Sequence, residues 1–417
     1  MVAVLGIFVF EAVALGALIW AFLFKEPSLT HEKLGNLGRA LIGFVALIAL
    51  VLALVTAFIL IAQAVGVRRA RRHATGASAW GEIWPEVLFA DRQSPKDPLS
   101  PEAVAALLDL REEVRGSDSL LVGEAIIDHG VDALLLSRVG PHRPPGDSLG
   151  RSLGLGFRRA RLRDRLDALE GLAKARVPTA LGSLFLLFDD EEAAVRRMAA
   201  RAAGRTIAEM PSGPELTDSQ QALATALERG LLAPGVVEET INLLEDNAAV
   251  VIAALLDTSR SETLTVVALD CAGKLEATDL APRIGAYLDP AQPTELRAAA
   301  LRASTAMSLL PPGAEEELRA SLSDPQAFVR VQATHAATLL PHNAALEVLR
   351  GQLEDPSWWV RRAAALGLAQ LGTPGREVLE TVARSTGDRF SREMAVLVLQ
   401  DRGWLDPSRA RSLLAAS

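Results

Sequence analysis

The sequence is poor in cysteine and in aromatic residues. Its one cysteine, Cys271, excludes an internal disulfide framework. Aromatic residues make up 5% of the chain and include a single tyrosine, whereas leucine and alanine are abundant. Because strands favour β-branched and aromatic side chains while leucine and alanine favour helices, this composition predicts an all-α protein.

Motifs for catalysis are also scarce. The six histidines form no metal-binding pattern such as H-E-x-x-H. The glycine-rich stretch GRSLGLG, residues 150–156, is not followed by the G-K-[ST] that a phosphate-binding loop requires. The sequence therefore predicts a protein that is not an enzyme and uses no cofactor, metal or small-molecule substrate.

Charge is distributed unevenly along the chain. Residues 1–80 contain seven basic and three acidic residues, a net charge of +4, which leaves −12 for the rest of the chain. A domain with that excess of negative charge repels a phosphate backbone on average. We therefore expect no nucleic-acid partner.

Two long apolar runs stand near the N-terminus. Residues 1–24 carry one charge, Glu11, and residues 40–67 carry none. A helix of 24 residues is roughly 36 Å long and crosses a hydrocarbon core of about 30 Å. We therefore predict that residues 1–75 form a transmembrane hairpin. The first run is not predicted to be a cleaved signal peptide, because it lacks the basic start and the short apolar stretch of such a peptide.

The basic segment RRARRH, residues 68–73, directly follows the second run. Positive charge beside a span marks the cytoplasmic side. The hairpin therefore lies in the inner membrane with both termini and all later residues in the cytoplasm. An acid at mid-bilayer is costly, so Glu11 is predicted either to snorkel or stay protonated, or to contact another membrane protein.

A segment with a period of 31 residues fills the C-terminal third. DPSWWVRRAAALGLAQLG at 355–372 repeats the pattern of DPQAFVRVQATHAATLL at 324–340, and Arg392 continues it. The apolar residues of each repeat form a stripe at helical spacing, which begins at the residue before the motif arginine, such as Val329 or Val360. Four residues after that start, each repeat carries an alanine: Ala199, Ala268, Ala300, Ala333, Ala364 and Ala395. A small residue there allows neighbouring helices to approach closely. The same alignment places Cys271 in a column of small core residues.

These residues resemble HEAT repeats, in particular the short bacterial kind found in phycobilisome-lyase-type proteins, whose first helix reads D-P-x-x-x-V-R-x-x-A-x-x-A-L. The resemblance implies a right-handed α-solenoid of about eight repeats over residues 157–417. It also implies a structural ladder in which aspartates and arginines bond along the stack, formed here by Asp324, Asp355, Arg330, Arg361 and Arg392, with Asp388 as a further candidate. Asp324 and Asp355 are expected to cap first helices. Thr265 replaces the arginine in one repeat, where the ladder is expected to break.

Aromatic residues align at one position of three successive repeats, at Phe328, Trp359 and Phe390. We predict that they form a buried seam between first helices, with an exposed aromatic ridge for a partner as the alternative. Trp358 aligns with no other aromatic residue and is predicted to be exposed. With Arg361 and Arg362 it forms the predicted partner-binding surface, and Arg350 and Arg384 on the second helices form the fallback.

Residues 76–156 are predicted to be a juxtamembrane helical segment followed by a linker rich in glycine and proline. Within it, Trp80 and Trp84 are expected either at the membrane surface or in an ordinary core.

Two functions fit this organisation. The first is a membrane-anchored cytoplasmic scaffold that docks a protein partner, expected to be an integral membrane protein or complex. The specific hypothesis is an accessory role beside a membrane glycosyltransferase of envelope polysaccharide synthesis. The second is a HEAT-repeat protein of the bilin-lyase or alkylpurine DNA glycosylase type. The anchor and the acidic array favour the first.

Overall fold

A computed structural model describes residues 79–90, 95, 98–140, 154–384 and 387–415. Regular structure in these ranges is entirely helical, which confirms the all-α prediction. The predicted spans at 1–24 and 40–67, and Glu11, lie outside the described residues. Within the ranges given, no helix combines the length and the apolar character needed to cross a bilayer.

The repeats form two layers of helices. From Gly154 to Ala415, sixteen α-helices alternate along the chain as the first and second helices of eight repeats. The first helices are α5 (Gly154–Ala175), α7 (Ala193–Ala208), α9 (Pro234–Asn242), α11 (Glu262–Lys274), α13 (Thr294–Ala306), α15 (Ala327–Ala336), α17 (Trp358–Gln370) and α19 (Arg389–Asp401). The second helices are α6 (Leu181–Leu186), α8 (Pro214–Arg229), α10 (Ala248–Thr258), α12 (Ala281–Gly285), α14 (Glu315–Ser321), α16 (His342–Gln352), α18 (Thr373–Arg384) and α20 (Pro407–Ala415). Each first helix packs on the first helix of the next pair.

The predicted alanine column forms the contact between first helices. All six of its alanines are fully buried: Ala199, Ala268, Ala300, Ala333, Ala364 and Ala395. Cys271 is fully buried as well, and burial raises the pKa of its thiol to about 12. A thiol with that pKa is protonated at neutral pH and is a poor nucleophile, so the prediction that Cys271 is a core residue is confirmed.

Helices α11 and α13 approach each other closely. A Cβ atom added to Gly273 would lie 2.9 Å from the Cα atom of Ala303, a distance that side chains do not tolerate. Gly273 is therefore required for this approach of the two backbones.

Four shorter helices cover the first face of the array. They are α1 (residues 79–89), α2 (Pro101–Glu113), α3 (Ser117–Asp128) and α4 (Val131–Val139). Both α2 and α4 pack against α5, so these helices share one hydrophobic core with the repeats. Trp84 is fully buried in that core, and its Nε1 donates to the carbonyl of Ala103 at 2.8 Å. Of the two interpretations of Trp84, core packing is correct.

We call helices α1 to α4 the cap. Two buried arginines join the cap to the repeats. Arg111 of α2 donates from Nε to the carbonyl of Ala175 at 3.2 Å, and Arg176 donates from Nη2 to the carbonyl of Arg111 at 2.9 Å. Both guanidinium groups contact the carboxylate of Glu209 at the end of α7. Burial, together with the charge of Arg111, lowers the pKa of Arg176 to about 10. No sequence pattern indicates this cluster, because its members are 33 or more residues apart.

We predict that Ala364→Leu lowers the free energy of unfolding by about 1–3 kcal/mol, because the added methylenes have no space at a close helix contact. Thermal and urea denaturation measure the change. Ala222→Leu is the matched control, since Ala222 is exposed on α8 and the larger side chain points to solvent there. Equal stability of the two variants would show that the alanine column does not set the helix spacing.

Candidate partner-binding surface

Arg330 links two successive repeats. Its Nε and Nη2 donate to the two carboxylate oxygens of Asp355 in the next repeat, at 2.7 and 3.0 Å. Its Nη1 donates to the carbonyl of Asp324 in its own repeat, at 2.8 Å. Both side chains of the Arg330–Asp355 pair are largely buried. This is the bidentate geometry in which an arginine binds a carboxylate most strongly.

The ladder aspartates also shape the turn before each first helix. A carboxylate oxygen of Asp324 accepts from the backbone N–H of Gln326 at 2.8 Å, and Asp355 accepts from that of Ser357 at 2.7 Å. If these aspartates were N-caps, the helices would begin at the next residue. The helices begin two residues later than that, at Ala327 and Trp358. The prediction that the aspartates are helix N-caps is therefore wrong: each forms a turn that leads into the helix.

Asp355 remains ionised because of its partners. Burial alone would raise the pKa of Asp355, but hydrogen bonds from Arg330 and from the N–H of Ser357 outweigh burial and lower the pKa below its usual value. The same pair raises the pKa of Arg330. Both groups are therefore charged over the whole physiological range.

The ladder has members that the sequence analysis did not name. Arg297 of α13 contacts the carboxylate of Asp324, and Arg165 of α5 contacts Asp190 at 2.5 Å. Arg196 then donates to the carbonyl of Asp190 at 2.7 Å, as Arg330 does to that of Asp324. Arg297 stands three residues before Ala300 of the alanine column, and its repeat carries Asp289 and Pro290 two residues further back than the later repeats carry their Asp-Pro.

Other ion pairs join the repeats in which the ladder pattern is weak. The Thr265 hydroxyl donates to the carbonyl of Ser261 within its own helix, at 3.1 Å. Nearby, Arg302 of α13 binds both oxygens of Asp270 on α11, at 3.1 and 3.0 Å. Further pairs join Lys274 to Glu238 and Arg197 to Glu239 across α11, α9 and α7.

Four aromatic side chains stand exposed at the first turns of three consecutive first helices. Trp359 is 67% exposed, Phe390 57%, Trp358 42% and Phe328 39%. We call these four residues the aromatic ridge. The predicted buried seam of Phe328, Trp359 and Phe390 is therefore wrong, and the exposed alternative is the one observed. Trp359 lies about 100° around the helix from the fully buried Val360, in a turn that the neighbouring helix does not cover.

Two arginines each contact an aromatic ring of the ridge. The Arg362 guanidinium carbon lies 5.4 Å from the centre of the Trp358 ring, and that of Arg361 lies 5.1 Å from the Phe390 ring. The rings of Trp358 and Trp359 contact each other edge to face, with centres 4.7 Å apart. Trp358, Arg361 and Arg362 are thus brought together, and Trp359 and Phe390 join them.

The remaining two candidates lie on the second helices. Arg350 of α16 lines a groove of about 280 Å³ together with Glu377 and Val378 of α18. Arg384 binds Glu380 at 2.9 Å on its own helix. These arginines belong to the other layer of the array and do not contribute to the aromatic ridge.

Groups for catalysis are not assembled on this surface. In the part of the chain that the structure describes, histidines, cysteine and carboxylates form no cluster suited to a metal ion. GRSLG, residues 150–154, has the G-x-S-x-G spacing of a hydrolase nucleophile elbow. Its serine, Ser152, lies outside the described residues.

We predict that Asp355→Asn lowers the free energy of unfolding by about 1–3 kcal/mol at pH 7, because it leaves the Arg330 guanidinium without its carboxylate. The folded-state pKa of Asp355 is lowered, so its contribution is complete above an unfolded pKa of about 3.9 and disappears as the pH falls through the folded-state value. The difference between wild type and variant should therefore shrink below about pH 4.

Chemical denaturation at pH 7 and at decreasing pH measures this difference. Asp218→Asn, at an exposed position of α8, is the control and should leave stability unchanged at pH 7. A pH-independent gap for Asp355→Asn would mean that lost packing, and not the ion pair, causes the destabilisation.

Comparison with known proteins identifies the repeat. Residues 281–368 and 315–400 match the family of HEAT repeats. None of the curated proteins matches the sequence. Similar solved structures include an engineered protein at 18% identity, covering 77% of this chain and 89% of its own, with a TM-score of 0.35. Escherichia coli YibA is 18% identical, with 57% of this chain and 92% of its own covered and a TM-score of 0.30. The karyopherin Kap121p bound to the SUMO protease Ulp1p is 14% identical, with 72% of this chain and 41% of its own covered and a TM-score of 0.34.

These TM-scores are too low for the individual structures to support an argument about this chain. The family match is independent of them and coincides with the repeats that carry the Arg297–Asp324 and Arg330–Asp355 pairs. Residues 281–400 match the HEAT-repeat family, and the helices before them continue the same stacked arrangement.

Proposed function

We propose that this protein is a membrane-tethered scaffold whose HEAT repeats dock a partner protein at the cytoplasmic face of the inner membrane. The observation that carries the docking function is the aromatic ridge. Tryptophan and arginine dominate the binding energy of protein interfaces, and four exposed aromatic side chains on adjacent helices are costly to leave in water.

The membrane tether is supported by the sequence of residues 1–75. Residues 40–67 are free of charge, and four arginines follow them within five positions. That arrangement is typical of a span whose C-terminal side faces the cytoplasm. On this proposal the anchor keeps the array at the membrane, where a tethered surface meets a membrane partner at a high effective concentration.

An integral membrane complex is the proposed partner. Glu11 in the first apolar run supports a partner within the bilayer, since an acid there is stabilised by contact with another protein. A glycosyltransferase of envelope polysaccharide synthesis is the specific hypothesis for that complex. The alternative of a DNA-glycosylase-like activity fits less well with the net charge of −12 after residue 80, which opposes binding of DNA.

We predict that deleting residues 1–75 moves the protein from the membrane fraction to the soluble fraction without unfolding it, because the cap and the repeats share their own core. Cell fractionation and circular dichroism measure the two effects. A C-terminal alkaline phosphatase fusion to the full chain tests orientation: it should be inactive, and an active fusion would contradict the cytoplasmic location of the repeats.

We predict that Trp359→Ala, and to a smaller extent Trp358→Ala, reduces recovery of a membrane partner while the melting temperature stays almost unchanged, since both rings are exposed. Affinity purification of the full chain from membranes, followed by quantitative mass spectrometry, measures recovery. Phe89→Ala is the control, because Phe89 is a similarly exposed aromatic residue on the cap. If Phe89→Ala loses partners to the same extent, or if neither tryptophan variant loses any, the docking surface lies elsewhere.

A further inference from the structure

The ladder lacks an aspartate at its last step. In three repeats the aspartate precedes the ladder arginine by six residues: Asp190 with Arg196, Asp324 with Arg330 and Asp355 with Arg361. Six residues before Arg392 the sequence has Thr386, and Asp388 comes only four residues before Arg392. The last aspartate is therefore shifted by two residues from the position that its predecessors occupy.

The shift changes what Asp388 binds. It is the N-cap of α19, and one carboxylate oxygen accepts from the backbone N–H of Ser391 at 2.7 Å and from its hydroxyl at 2.6 Å. Arg361 is near enough for its charge to help lower the pKa of Asp388, after the larger effect of the Ser391 hydrogen bonds. In the preceding step, by contrast, Arg330 holds Asp355 by two hydrogen bonds.

Arg361 is left with an incomplete set of partners. Its Nη1 donates to the carbonyls of Asp355 and Pro356, at 2.8 and 3.0 Å, as the equivalent atom of Arg330 does in its own repeat. The Nε atom, which binds the carboxylate in Arg330, is buried in Arg361 without a hydrogen-bond partner. The Phe390 ring stands over this guanidinium in place of a carboxylate.

This incomplete step lies under the most exposed part of the aromatic ridge. Arg361 is only 8% exposed and contacts the Phe390 ring, while Trp358 and Trp359 stand in the same first turn of α17. A buried guanidinium with an unsatisfied N–H gains more from a carboxylate than an exposed one does, because the neighbouring rings exclude water. The ridge therefore offers apolar contact around one specific charged position.

The surrounding charges argue for a single carboxylate and against a polyanionic surface. Arg330 is neutralised by Asp355, and Arg389 by Glu393 at 2.6 Å. Asp388 is ionised and exposed beside the site. A lipid surface or a nucleic acid needs an extended excess of positive charge, which these pairs do not provide.

We propose that the aromatic ridge binds an extended segment of the partner protein in which an Asp or Glu stands between apolar residues. The partner's carboxylate binds Nε of Arg361 and completes the ladder step that the sequence shift leaves open. Phe390 turns aside as the carboxylate arrives, and the apolar residues pack on Trp358 and Trp359. This inference rests on the proposed docking function and specifies the chemistry of the docked segment.

The test uses the purified full chain in nanodiscs of phosphatidylcholine and two fluorescein-labelled peptides. One peptide contains three copies of Gly-Asp-Phe-Ser, and the other has Asn in place of each Asp. We expect the acidic peptide to bind at least about tenfold more tightly by fluorescence anisotropy, as loss of a charge-assisted hydrogen bond implies. Trp359→Ala should weaken binding of both peptides.

The decisive variants are Arg361→Gln and Arg389→Gln, which remove the same charge on either side of Phe390. Arg361→Gln should abolish the preference for the acidic peptide, because it removes the Nε donor. Arg389→Gln should leave the preference intact, since Arg389 is exposed and already paired with Glu393. Circular dichroism checks that both variants remain folded, because Arg361 also binds two backbone carbonyls.

Equal binding of the two peptides, a preference that survives Arg361→Gln, or a preference that is lost in Arg389→Gln would overturn the inference. Displacement of the acidic peptide by phosphatidylglycerol vesicles but not by phosphatidylcholine vesicles would assign the ridge to a lipid surface and overturn it as well. Peptide binding is measured on purified protein, so its failure is separate from a failure to recover a membrane partner.

Discussion

The close contact between successive first helices is the constraint on which the other features depend. The alanine column and Gly273 let these helices approach until their backbones nearly touch. Interiors are close-packed, so this spacing is almost rigid from one repeat to the next. It brings the first turn of each repeat beside the first turn of the following one. The ladder and the aromatic ridge both arise at that position.

The ladder uses this regular spacing to tie one repeat to the next. A buried ion pair is favourable only when its geometry is good and its remaining hydrogen bonds are satisfied. Arg330 meets that condition, since it binds Asp355 in the next repeat and the carbonyl of Asp324 in its own. Arg361 meets it only in part, because its buried Nε has no partner. On the inference drawn above, this incomplete step is where a partner's carboxylate binds.

The cap shows how an array of repeats ends. The first helix of a stack has one face without a neighbour, and α2 and α4 cover that face on α5. Trp84 fills the cap's core, and the pair of buried arginines binds the cap to α7 through Glu209. The aromatic ridge lies in the last three repeats, far along the chain from this covered end.

Sequence by itself determined the helical class, the repeat in the C-terminal third, the alanine column and the burial of Cys271. Each of these follows from periodicity, because a residue on the inner face of a helix is buried in every repeat. Tertiary structure decided the rest. Trp359 aligned with Phe328 and Phe390 and suggested a seam, but a shared position does not reveal whether the neighbouring helix extends far enough to cover it. Arg111, Arg176 and Glu209 meet only because the cap folds back on the repeats, and no local pattern records a contact between such distant parts of the chain.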